Sequence, residues 1–93
     1  MRAIWNGTVI AESDATVVVE GNHYFPADSV HWDLLTPSGT RTRCSWKGEA
    51  SYFSVDDGVC RDSDVAWSYE DPSPAADHIA GRVAFWHGVK VLD

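Results

Sequence analysis

The chain has no apolar run near the ~20 residues that a membrane-spanning helix needs, and it has no glycine-rich loop of the kind that cradles phosphate. Its two cysteines, Cys44 and Cys60, lie far apart with no CxxC pair, and His23, His31, His78 and His87 are scattered without ligand spacing. A zinc site is therefore not expected. Asp56-Asp57-Gly58 lacks the regular acidic spacing of a calcium loop and reads as a hairpin turn. Positive charge is scarce: seven Lys and Arg against fourteen Asp and Glu leave a net charge of −7. Nucleic acid and anionic membrane are polyanions, so neither is expected as a partner. The segment Met1-Arg2-Ala3-Ile4-Trp5-Asn6-Gly7 meets a turn before any apolar run could form a leader core. Reduced thiols and a cytoplasmic location are the corresponding expectations. No signature names a cofactor or an oligomeric state.

What is abundant is aromatic surface. Five Trp, three Tyr and three Phe occur in 93 residues. A buried aromatic removes roughly 150–250 Å² from water, so a few of these can fill the core of one small domain, residues 1–93, without disulfide or metal. The spare ones can line a site.

Short β-type runs alternate with turn residues along the whole chain. Asn6-Gly7 predicts a hairpin between strands at 2–5 and 8–12, because both positions accept positive φ. Residues 16–20 form a β-branched run that is expected to turn at Gly21-Asn22. Residues 27–35 predict a short helix, and Ser38-Gly39 a turn into strands at about 40–46 and 49–55. Residues 64–70 alternate, which predicts Val65, Trp67 and Tyr69 on one face. Ser73-Pro74 followed by Gly81 brackets another short helix. Val83–Trp86 and Val89–Leu92, separated by His87-Gly88, predict a closing hairpin. The expected fold is mainly β: an antiparallel, β-tent or sandwich-like domain of about eight short strands with one or two short helices.

Two groups of residues could carry chemistry. In Arg41-Thr42-Arg43-Cys44-Ser45-Trp46-Lys47-Gly48, alternation places Thr42, Cys44 and Trp46 on one face and Arg41, Arg43 and Lys47 on the other. A break at the end of this strand would let Lys47 return toward Cys44, where a cation stabilises the reactive thiolate. The plainer alternative is a buried, inert cysteine beside a solvated basic face. The second group is Tyr24, Phe25, Trp46, Tyr52, Trp67 and Tyr69, which serve either as core or as the wall of a cleft.

The runs Glu20-Gly21-Asn22-His23-Tyr24-Phe25-Pro26, Cys44-Ser45-Trp46-Lys47-Gly48-Glu49-Ala50-Ser51-Tyr52, Ala66-Trp67-Ser68-Tyr69 with Pro72, and Ile79-Ala80-Gly81 before Ala84-Phe85 resemble a small bacterial family, domain of unknown function 427. Ser45 departs from that family's usual proline. The resemblance implies a β-tent fold, and its motif positions give Glu20, Tyr24, Cys44, Trp46, Lys47, Tyr52, Trp67 and Tyr69 as the candidate cleft, with Arg43 added from the basic strand. Some members carry a nucleotidyltransferase-like label, although such transfer normally uses paired carboxylates around Mg²⁺. Three functions follow as expectations: binding of a small ligand, a nucleotide or other anion; a small enzyme using Cys44 or Glu20 in the same cleft; and an interaction module that pairs through an edge strand.

Overall fold

A computed structural model describes all residues, 1–93. It is mainly β and antiparallel, with nine strands: β1 (Arg2–Trp5), β2 (Thr8–Glu12), β3 (Val17–Val19), β4 (Asn22–Tyr24), β5 (Leu35–Cys44), β6 (Gly48–Asp56), β7 (Arg61–Ser68), β8 (Val83–Phe85) and β9 (Lys90–Leu92). Three short 3-10 elements, Ala27–Ser29, Trp32–Leu34 and Pro74–Ile79, complete the chain. The β-tent or sandwich class expected from the sequence is the class observed. No helix is long and apolar enough to cross a membrane.

Turn chemistry set the hairpins. Asn6 and Gly7 take φ of +50° and +76°, as the β1–β2 turn requires. The β3–β4 turn sits one residue earlier than expected, at Glu20 and Gly21, with φ of +54° and +80°. The 27–35 helix is absent, because Val30 is extended (φ −98°, ψ 136°) and separates two single 3-10 turns. Gly39 does not end a strand. It lies in a bulge within β5, between Pro37 and Arg41, so that the strand continues to Cys44. The 73–81 segment does form a 3-10 helix, with Pro74 at its start and Gly81 at φ +70° beyond its end.

The strands form sheets in the orders β2-β1-β9, β3-β4 and β5-β6-β7-β8. Phe25 and Val83 exchange both backbone hydrogen bonds, at 2.7 and 2.9 Å, and so attach the β3–β4 hairpin to the free side of β8. The expected closing hairpin does not form: β8 pairs with β7, and β9 with β1. The chain changes sheets at Trp86–Val89, where the Trp86 amide donates to Val65 O (2.9 Å) and its indole to Asp64 O (2.6 Å).

The large sheet is buried on both faces along β6, β7 and β8, while most of β5 is exposed. Phe53, Ala66 and Phe85 form one cross-strand row, which packs with Trp5, Ile10, Phe25 and Val55 against the β1–β2–β9 sheet. The adjacent row, Tyr52, Trp67 and Ala84, faces the opposite way into a second, smaller core with Tyr24, Tyr69, Ala50, Ala76 and Ile79. Val65 and Trp67 therefore do not share a face. A bulge opposite Ser54, with Asp64 at φ +54°, resets the alternation, and Asp64 N donates to Ser54 Oγ at 3.2 Å. Phe25, next to Tyr24 on an extended chain, belongs to the first core and not to the candidate site.

Candidate functional site

The second core carries the candidate chemistry, and the β5–β6 turn delivers it. Cys44 pairs with Gly48, leaving Ser45, Trp46 and Lys47 as the turn. Gly48 adopts φ +109°, a backbone that favours glycine, while the space beside it would admit a β-carbon at ordinary contact, 3.5 Å from Pro72 Cα. The 70–73 segment clamps the turn from outside: Ser73 N donates to Lys47 O (2.9 Å), and Ser73 Oγ donates to Trp46 O. The turn reverses the strand's alternation, so Lys47 points back over the Cys44 face.

Lys47 is the one buried cation, at 7% exposure. Its Nζ donates to Glu20 Oε1 in a salt bridge and stands 5.2 Å from the Trp46 ring centroid and 5.6 Å from that of Tyr69. Burial works against its charge, yet the Glu20 carboxylate and the neighbouring Tyr69, Tyr24 and Cys44 side chains outweigh it and hold the ammonium above its ordinary 10.5. Lys47 is thus a fixed positive charge at neutral pH rather than an amine nucleophile. The hydrogen bond from Lys47, helped by the Trp46 side chain, keeps Glu20 below its ordinary 4.5 against a smaller desolvation effect.

Glu20 reaches this site from the tip of the β3–β4 turn. A left-handed backbone costs a residue with a β-carbon roughly 1–2 kcal/mol, and Asn, Asp or Gly is the usual occupant of such a turn. A glutamate held there with its carboxylate on a buried lysine marks the turn as more than a connector.

Cys44 is half-buried, and the neighbouring backbone amides of Trp46 and then Lys47 hold its thiol below the ordinary 9.0, with the Lys47 charge adding to them. Below lie the aromatic groups. Trp67 Nε1 donates to Tyr24 OH (3.2 Å), with the rings edge-to-face at 6.2 Å. Burial pushes the Tyr24 hydroxyl up despite this bond and the nearby Lys47, and it does the same at Tyr69. Tyr69 is held by its own carbonyl, which accepts from Gly81 N at 3.0 Å. Tyr52 OH bonds Thr42 Oγ1 at 3.0 Å.

Eight of the nine candidate residues thus share one face: Glu20, Tyr24, Cys44, Trp46, Lys47, Tyr52, Trp67 and Tyr69. Arg43 does not. It alternates with Thr42 and Cys44 and lies on the opposite face, lining a polar cavity of about 500 Å³ with Glu49, Glu70 and Asp71. Thr42, on the Cys44 face as alternation predicts, joins the site through Tyr52, and Trp86 joins it without having been singled out from the sequence. Trp86 follows Ala84 by two, just beyond the end of β8, and its ring lies 5.2 Å from Trp67 and 6.2 Å from Tyr52. That two-residue spacing was the readable signal.

The aromatic residues are packed against one another and line none of the three cavities in the molecule. The accessible parts of the site are its rim: Glu20, Trp46 (38% exposed) and Trp86 (42%). No three His, Cys, Asp or Glu side chains converge at metal-binding distance. The chemistry on offer is a buried ammonium, an exposed indole beside it and a thiol held below its ordinary range.

A search of curated proteins finds no match. Residues 1–92, nearly the full length, match a family described as a domain of unknown function (DUF427), and with the motif residues gathered as described, the chain belongs to that family.

Proposed function

We propose that the domain binds a small anionic ligand at the Cys44–Gly48 turn. Lys47 takes the anionic group, and Trp46 stacks on a planar or apolar portion. The observation that carries this reading is the Lys47 ammonium. It is buried beneath aromatic rings, where burying a charge is costly, and its one hydrogen-bond acceptor is a carboxylate on an exposed turn. A site that concentrates positive charge beside a π-face suits an anion with a flat body, a nucleotide among them. The acidity of the whole molecule makes that charge local, which fits a small ligand better than a polyanion.

The test is a thermal-shift screen of wild type and Lys47→Met against nucleotides, sugar phosphates and aromatic carboxylates. A ligand at 100 times its Kd adds about 2.7 kcal/mol, enough to raise the Tm of a domain this small by several degrees or more. A shift seen in wild type and lost in Lys47→Met supports the site. A flat screen, or a shift that survives the substitution, rejects it.

A second reading, a thiol enzyme using the same face, is favoured by the setting of Cys44, whose thiol the Trp46 and Lys47 amides and the Lys47 charge hold below its ordinary range. Such a thiol suits nucleophilic attack on an electrophilic carbon, with Lys47 stabilising the negative charge that develops.

A further inference from the structure

Lys47 carries three N–H donors and meets one protein acceptor, Glu20 Oε1, while its remaining surroundings include the rings of Trp46 and Tyr69. The two partners are held very differently. Lys47 is fixed through its own carbonyl, which accepts from Ser73 N, and the turn is clamped again where Trp46 O accepts from Ser73 Oγ. Glu20 stands at a turn between two three-residue strands, beside Gly21, around which a β-carbon would find nothing within 4 Å. Strand β3 pairs only with β4, and Val18 in its centre is 56% exposed. If the pair separates, Glu20 is the side that moves, and rotation of its side chain into solvent is enough.

We propose that Glu20 is a resident substitute for the ligand's own oxyanion: a carboxylate or phosphate displaces it from Lys47 and takes its place under Trp46. This rests on the reading of Lys47 as an anion site. It also explains why that face has no open cavity, since the space beside the ammonium is filled by the protein's own carboxylate. An oxyanion with two or three oxygens uses more of the lysine donors than Glu20 Oε1 does. The unfavourable backbone at Glu20 has a role in the same terms, because the glutamate is kept where its carboxylate reaches Lys47 yet remains free to leave. The site is then self-occupied when empty, and apparent affinity is reduced by the fraction of molecules in which Glu20 is bound.

The test uses sodium benzoate and, separately, inorganic phosphate as probes, at constant ionic strength. Binding is followed by NMR through the Trp46 indole and the Gly48 and Gly21 amides in wild type, Glu20→Gln, Glu20→Gly and Lys47→Met. Removing the competing carboxylate is expected to tighten binding of at least one probe by about fivefold or more. Lys47→Met should not bind. In wild type, the Gly21 amide should move on binding toward its position in Glu20→Gln. The benzoate and phosphate arms separate a carboxylate ligand from a phosphate one. Glycine suits the +54° backbone, so Glu20→Gly keeps the test available if Glu20→Gln folds poorly. Equal or weaker binding in the Glu20 variants, with Lys47-dependent binding in wild type, overturns the substitution and leaves the anion site standing. Absence of Lys47-dependent binding in every variant overturns both, and failure of both Glu20 variants to fold makes Glu20 structural and overturns the substitution.

Discussion

Lys47 and Glu20 form a salt bridge between unequal partners: the lysine side chain is 8% exposed and the glutamate 54%. Most surface ion pairs contribute little because both charges remain hydrated. Here one member has given up its water and depends on the other.

That dependence gives a pH signature. Glu20 is lowered from 4.5, so its share of stability is present above 4.5 and is lost as pH falls through its lower folded value. Lys47 is raised from 10.5, so its share is present below 10.5 and is lost as pH rises through its higher folded value. Between these limits the pair contributes fully. Urea denaturation of wild type and Glu20→Gln across pH should show a stability gap that is flat near neutrality and closes in acid, below 4.5. A gap that persists unchanged well into acid would assign the loss in Glu20→Gln to something other than its charge.

The buried bond from Trp67 to Tyr24 predicts an asymmetric cost. Tyr24→Phe leaves the Trp67 indole N–H in the second core without its acceptor. Destabilisation of about 1–3 kcal/mol is expected, since a stranded buried donor loses its desolvation energy without return. Tyr52→Phe removes a bond to Thr42 Oγ1 at a partly exposed position and should cost less. Denaturant midpoints of the two variants check the order, and a Tyr52→Phe cost equal to or above that of Tyr24→Phe contradicts it.

Cys44 should alkylate as an activated thiol. In a Cys60→Ser background, the iodoacetamide rate should rise with pH to a midpoint below the ordinary 9.0, because the Trp46 and Lys47 amides and the Lys47 charge favour the thiolate. Lys47→Met should move that midpoint upward but not abolish the shift, as the amides remain. A midpoint at or above 9.0 would end the thiol-enzyme reading.

The sequence by itself determined the local decisions. Asn6-Gly7, Pro74 and Gly81 act through φ over a few residues, and the structure keeps them where they were read, although Ser73 turns its hydroxyl to Trp46 O instead of capping the helix. Alternation likewise brought Cys44 onto the face of Thr42, and the family motifs picked out eight residues that the fold brings together. Decisions that depend on which strands meet were not legible. Nothing local reveals that β9 pairs with β1 rather than β8, because both pairings satisfy the same backbone groups and only the packing of the two cores separates them. Bulges at Gly39 and Asp64 each set three residues of one strand against a single residue of its neighbour, and the period of two breaks down inside them. Alternation already set Arg43 on the far face, but only tertiary structure laid the Trp86 ring against Tyr52 and Trp67 and brought Glu20 across 27 positions of chain to Lys47. A charge can be read from a sequence, but its partner depends on desolvation, and desolvation exists only once the chain has closed around it.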